Sequence, residues 1–201
     1  HLNQIESVRA FAALSVAIFH FSAYFSWDPI TTNGFRLGAQ GVEVFYIISG
    51  FIIPYSLYHS TYKINDYFKY LGKRLSRLLP PYIATIGLIQ LIGIALCVFL
   101  WGCDYDINFR QIIINTFFLA DLFPNYDWIN PIFATLEVEL HFYIIIGLLF
   151  PLLKLSDWIF PAAALLFLFL GIQTNSYDTF LVNSPYFIIG TGIFYIKQEG
   201  Y

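Results

Sequence analysis

The chain has 201 residues, of which 58% are hydrophobic, 20% aromatic and only 11% charged, with a formal net charge of −3. A soluble domain carries about 25% charged residues, so the composition excludes a water-soluble globular protein and predicts an all-α, polytopic transmembrane helix bundle. No basic patch points to nucleic acid, and Cys97 and Cys103, six residues apart, lack metal-ligand spacing while leaving a disulfide open.

A spanning helix needs about 20 mostly apolar residues. The first candidate runs from Val8 to Trp27 and is too long, without a small-residue cleavage site, for a secretory signal. Asp28 to Gly34 reads as a polar loop. The second span runs from Gly38 to Leu57, with Glu43 near its start and Ser49-Gly50 at its middle. A basic stretch from His59 to Arg77 follows. The third span runs from Pro80 to Leu100, with proline in the first turn, where its missing N–H is harmless. The apolar piece Ile112 to Leu122 covers about half a bilayer and reads as an interfacial or re-entrant helix. It lies in a loop holding Asp104, Asp106, Asp121 and Asp127. The fourth span is Pro131 to Leu153, with Glu137, Glu139 and His141; the fifth is Trp158 to Ile172. A polar turn, Gln173 to Asp178, leads to the sixth, Thr179 to Ile196. The chain begins at His1 and contains no Met, so 1–201 reads as a single membrane domain truncated at both ends.

Charge orients these spans. With the N-terminus in the cytoplasm, Arg9, Lys63, Lys69, Lys73, Arg74, Arg77, Lys154 and Lys197 fall inside, and Arg36 and Arg110 outside. This split follows the positive-inside rule. Counting Ile112–Leu122 as a full span would move Lys154 and Lys197 outside and weaken it.

The polar residues within apolar segments are the candidate site, because an ionisable group inside a membrane is costly. Arg9 and His20 are eleven steps apart, three helical turns plus about 20°, and so share a face about 16 Å apart along the axis. Glu43, on the next span, is expected to reach His20 and fix its tautomer; the alternative is that it snorkels outward to Arg36. Glu137, Glu139 and His141 follow each other in steps of two and cannot all face one site. Arg74 and Arg77, three apart, share a face that suits a phosphate-rich ligand or an anionic lipid.

Four blocks in order resemble the integral-membrane O-acyltransferases of acyltransferase family 3. Arg9…His20 is similar to the family's Arg-x10-His signature. Gly41-Val-Glu-Val-Phe-Tyr-Ile-Ile-Ser-Gly-Phe51 is similar to its Gly-Val-Asp…Ser-Gly-Phe block, with Glu43 for the commoner Asp. Arg74-Leu-Ser-Arg77-Leu-Leu-Pro-Pro-Tyr82 is similar to its Arg-x-x-Arg block. Thr135-Leu-Glu-Val-Glu139-Leu-His-Phe-Tyr143 is similar to its Trp-Ser/Thr-Leu-x-x-Glu…Phe-Tyr block, with Ala134 where the family has Trp.

The resemblance implies about six of roughly ten spans. It implies transfer of an acyl group, usually acetyl, from cytoplasmic acyl-CoA as donor substrate, with no bound cofactor and no metal. The acceptor would be a hydroxyl of a surface glycan or lipid-linked sugar, in the inner membrane of a bacterium. His20, Glu43 and Glu139 would be catalytic. Arg9, Arg74, Arg77 and Ser49 would bind acyl-CoA, with Ser49 either a nucleophile or a packing notch. The competing readings are a proton-coupled transporter, with His20, Glu43 and Glu139 as a relay, and an inactive membrane fragment.

Overall fold

A computed structural model describes residues 2–22, 34–103, 105–120, 123, 125–174 and 179–198. Asp28 to Asn33, Asp104, Asp121 and Asn175 to Asp178 lie outside these. All regular structure among the described residues is helical: α1 (Leu2–Ser22), α2 (Gly41–His59), α3 (Tyr67–Leu96), α4 (Phe109–Thr116), α5 (Ile132–Leu153), α6 (Ile159–Ile172) and α7 (Phe180–Gln198), with short 3₁₀ turns at Leu37–Gln40 and Ile64–Asp66. Among the described residues, four helical stretches are long and apolar enough to cross a membrane: Ile5–Ser22, Gly34–His59, Ile64–Trp101 and Ile132–Leu153. The protein is a multi-pass membrane protein. It divides into two compact units, His1–Tyr62 with Leu149–Tyr201, and Lys63–Leu148.

In the first unit, α1 runs antiparallel to α2. Gly38 lies against the backbone of Ser15 and the side chain of Phe19, and Gly41 against Ala12 and Val16. Small residues let the backbones approach where lipid supplies no hydrophobic drive between helices. Helix α2 pairs most extensively with α7, and the two are parallel. Tyr46 meets Phe187 with ring centroids 4.8 Å apart; Gly50 and Gly190 pack backbone to backbone; Tyr58 then meets Phe194 at 6.0 Å. Helix α6 returns antiparallel along α7, with Phe167 on Phe180, Gly171 on the Leu181 carbonyl and Phe160 on Tyr195.

Proline shapes this contact. Pro54 and Pro185 lie inside α2 and α7, and each lacks the N–H that would bond the carbonyl four residues back. Those carbonyls belong to Gly50 and Leu181. The Thr191 hydroxyl donates to Gly50 O at 3.0 Å and the Ser184 hydroxyl to Leu181 O at 2.8 Å. Helix breakers are tolerated in membranes when side chains re-satisfy the freed groups in this way.

In the second unit the expected start of the third helix moves. Helix α3 begins at Tyr67, so Pro80 and Pro81 are interior residues rather than first-turn ones. It ends in a π-helical turn, Cys97–Trp101, and the disulfide between Cys97 and Cys103 holds the exit of the chain. Tyr105 folds back onto Gly93, its hydroxyl donating to Gln90 Oε1 at 3.1 Å. The short α4 is capped by Asn108, whose Oδ1 accepts from Gln111 N. At eight residues, α4 is about 12 Å long, too short to span, as the half-bilayer apolar run implied.

The core of this unit is Tyr82, Ile86, Phe118, Phe133 and Leu140. Tyr82 stacks on Phe118 at 4.4 Å, lies 4.2 Å from Phe133, and donates its hydroxyl to Asn115 O at 2.8 Å. Asn115, 1% exposed, ties the loop down. Its Nδ2 donates to the carbonyls of Gln111 and Asp127, and its Oδ1 accepts from Ile129 N. Helices α3 and α5 are antiparallel: Tyr82 meets Phe133, while Tyr67 and Tyr70 meet Gly147.

Candidate active site

Arg9 and His20 lie on one uninterrupted helix, so the shared face derived from their spacing holds. Arg9 is exposed and His20 half-buried. Ala12 and Val16 face Gly41, and His20, four residues beyond Val16, continues that row. The His20 ring lies 5.2 Å from that of Phe19.

Glu43 sits in the first turn of α2, where the helix dipole favours a negative charge. The structure does not bring it to His20. In the antiparallel register set by Gly38 on Ser15 and Gly41 on Ala12, Glu43 is level with the middle of α1, about 12 Å along the axis from His20 at 1.5 Å per residue. Its carboxylate instead lies within electrostatic reach of the Tyr186 hydroxyl of α7. Sequence spacing could not show this, because Tyr186 is some 140 positions away. Ser49 is 7% exposed and neighbours the Gly50 contact with α7.

In the second unit, Glu139 is half-buried and accepts a hydrogen bond from the Tyr143 hydroxyl, one turn on, at 2.6 Å. The Tyr143 ring lies 5.6 Å beneath the Arg74 guanidinium carbon. The Arg74 guanidinium carbon also lies 5.7 Å from the Tyr70 ring, and Tyr70 donates its hydroxyl to Tyr143 O at 3.3 Å. Arg74 is half-buried and Arg77, on the same face, is exposed. The result is one connected line, Arg74, Tyr143, Glu139, in which a cation lies over the ring of a buried tyrosine and a carboxylate accepts from its hydroxyl. The motif reading included Tyr143 without giving it a role.

Glu137 belongs elsewhere. It is 3% exposed and its Oε2 accepts from Trp128 Nε1 at 2.9 Å. Two acids two residues apart thus have separate partners, as helical geometry requires. Ala134, where the resembling family has Trp, is itself buried at 6% exposed, and the indole in this region comes from Trp128 in the preceding loop.

A family model described as an acyltransferase domain matches residues 2–200. ORF330 of Acidianus two-tailed virus, which carries an acetyltransferase name, is 26% identical over 184 residues, covering 91% of this chain and 49% of the viral protein. The O-acetyltransferase OatA of Staphylococcus aureus, in strains NCTC 8325 and COL, is 34% identical over 89 residues, covering 43% of this chain and 13% of OatA. The chain therefore spans about half the length of the viral relative and a smaller share of OatA. No solved structure matches it significantly. With the family model covering nearly every residue, in a chain whose apolar helices carry the Arg9–His20 face and the Arg74–Tyr143–Glu139 line, this protein belongs to acyltransferase family 3.

Proposed function

We propose that the protein transfers an acyl group, acetyl by preference, from cytoplasmic acyl-CoA to a hydroxyl of a surface glycan or lipid-linked sugar. The observation that carries this reading is the Arg74–Tyr143–Glu139 line within apolar helices. Intramembrane charges held in place by hydrogen bonds and aromatic rings mark a chemical site rather than an anchor. Family membership and the acetyltransferase names of the relatives support the reaction class.

In the proposed reaction His20 takes the proton of the acceptor hydroxyl. The oxygen bonds to the thioester carbonyl carbon, the carbon–sulfur bond breaks, and the proton passes to the departing thiolate, leaving an ester and free CoA thiol. Arg77 and the outer edge of the Arg74 guanidinium hold donor phosphates, for which guanidinium forks suit better than ammonium groups. Glu43 supports the imidazolium at a distance. At about 12 Å and an effective dielectric of 20, a unit negative charge favours it by about 1.4 kcal/mol.

The membrane placement proposed is a bacterial inner membrane with the N-terminus cytoplasmic. Within the first unit, the parallel α7 puts Lys197 at the same end as the C-terminus of α2, over the rings of Phe51 and Tyr55. Lys154 joins it over Tyr58, and Arg36 lies at the opposite end, before α2. Cationic ends on one side fit the positive-inside rule. The parallel sense of α2 and α7 supports an odd number of crossings between them, three with α3, α5 and α6, in line with α4 not spanning. The Cys97–Cys103 disulfide suits an oxidising, extracytoplasmic face for the end of α3.

The test uses sealed membrane vesicles containing the protein at its full natural length, given labelled acetyl-CoA on the cytoplasmic side. The expected result is label recovered as a base-labile ester on glycan or lipid-linked sugar. Absence of transfer from well-expressed protein, across a panel of such acceptors, rejects the reading.

A further inference from the structure

We infer that Lys154, Lys197 and His59 form a site for the headgroup of an anionic phospholipid, built in the first unit where the C-terminal ends of α5, α7 and α2 meet. His59 is the last residue of α2, Lys197 lies in the last turn of α7, and Lys154 directly follows α5. All three are exposed. The Lys154 ammonium lies 4.8 Å from the Phe150 ring and 5.5 Å from that of Tyr58. Tyr58 meets the His59 ring edge-on at 5.5 Å, and His59 lies 4.1 Å from the Tyr55 ring. The Lys197 ammonium lies 5.8 Å from that same Tyr55 ring and 5.6 Å from Phe51. One unbroken run of ring contacts therefore joins three basic side chains at the ends of three helices.

Basic residues at helix ends commonly serve the last carbonyls, but here other groups take them. In α2, Ser56 O accepts from Ser60 N, Leu57 O from Tyr62 N and the Ser60 hydroxyl, and Tyr58 O from Thr61 N. In α5, Leu152 O accepts from Leu155 N and Leu153 O from the Tyr195 hydroxyl. His59 Nδ1 donates to Tyr55 O at 2.9 Å, since a carbonyl only accepts, and Nε2 is the ring atom left to meet a ligand. A ring engages one side of an ammonium and leaves N–H donors for an anion. The apolar residues beside the lysines indicate what carries that anion. Ile189, Ile193 and Ile196 form one exposed stripe of α7 that leads to Lys197, and the exposed Leu152 stands just before Lys154. In a membrane-spanning chain such residues face acyl chains, and a lysine at the end of the stripe reaches headgroup depth, where anionic lipid attracts it. Tyr58, also exposed, suits the same boundary, with an apolar ring and a polar hydroxyl.

The experiment needs no acyl transfer and so stands apart from that reading. Phosphatidylglycerol and phosphatidylcholine are titrated separately into the delipidated full-length protein in detergent, and bound lipid is counted by native mass spectrometry. Phosphatidylglycerol is expected to bind about tenfold or more tightly than phosphatidylcholine. The double variant Lys154→Gln with Lys197→Gln is expected to lose that preference, and Lys154→Arg with Lys197→Arg to keep it. A control pair in the second unit, Lys69→Gln with Lys73→Gln, both exposed, is expected to leave it unchanged. Equal binding of the two lipids by the unsubstituted protein overturns the inference. Equal losses from the two Gln pairs also overturn it, since they show diffuse attraction to positive charge rather than a site. Free coenzyme A supplies the last arm. If it displaces phosphatidylglycerol and its own binding is lost in the Lys154, Lys197 double Gln variant, the cluster holds a soluble phosphate ligand and the lipid assignment fails.

Discussion

Thr191 donates its hydroxyl to the carbonyl of Gly50, the carbonyl that Pro54, four residues on, leaves without an amide partner. A proline in one helix and a threonine in another thus form one structural unit, at the place where α2 and α7 come closest. Thr191→Val keeps the shape but strands the carbonyl, and is expected to destabilise the protein by about 0.5–2 kcal/mol. Thermal unfolding in detergent measures this. In a Pro54→Ala background, where the helix supplies its own N–H, the same substitution is expected to cost clearly less; equal costs in both backgrounds reject the pairing.

The orientation proposed for the membrane predicts that position 66 faces the cytoplasm and position 106 the outside. Single cysteines placed there report it in intact cells, and the native pair is silent to maleimide because Cys97 and Cys103 are joined. An impermeant reagent is expected to label 106 and spare 66. The reverse pattern removes both the topology and the cytoplasmic donor site.

Arg77 is exposed on the face it shares with Arg74, which leaves it available to a phosphate, whereas Arg74 is half-buried and lies over the rings of Tyr70 and Tyr143. A charge-assisted phosphate contact is worth about 1.5–3 kcal/mol. Arg77→Ala is expected to raise the KM for acyl-CoA by about tenfold or more, and Arg77→Lys by less. For Arg74, which holds donor phosphate and also lies over the Tyr143 ring, the loss is expected in both KM and kcat, and Arg74→Lys does not rescue kcat, since an ammonium group does not stack on a ring as a planar guanidinium does. Steady-state kinetics at saturating acceptor separates the two.

His20 is the sharpest test of the chemistry. His20→Ala and His20→Gln are both expected to reduce turnover by about 10²–10⁴-fold with membrane expression retained. A histidine that served packing alone would tolerate Gln better than Ala. Near-normal transfer by His20→Gln assigns proton abstraction to another group, and Glu139, hydrogen-bonded to Tyr143, is then the next to substitute.

Local rules of composition and period made much of this protein legible before any coordinates. Apolar runs long enough for a bilayer located the helices; an interval of eleven residues placed Arg9 and His20 on one face; steps of two separated Glu137 from Glu139; and the short run after Ile112 was too brief to span. Each of these depends on helix geometry or on hydrophobic length, and both are properties of neighbouring residues. Where the local signal was ambiguous it misled. Prolines at 80 and 81 read as a helix start, yet α3 begins at Tyr67, because proline is also accommodated inside membrane helices when nearby groups absorb the loss of its N–H.

Tertiary structure decided which polar groups meet. Glu43 stands well away from His20 along the helices, because the register of α1 on α2 follows from where Gly38 and Gly41 let the backbones close. Glu137 meets Trp128 because Asn115 fastens the preceding loop over α5. The closure of Cys97 on Cys103 depends on the π-helical turn between them. Hydrophobicity selects helices by length and composition and is indifferent to rotation and register, whereas hydrogen bonds and glycine contacts are short-ranged and directional. The pairing of the buried polar residues therefore appears only when the helices are packed.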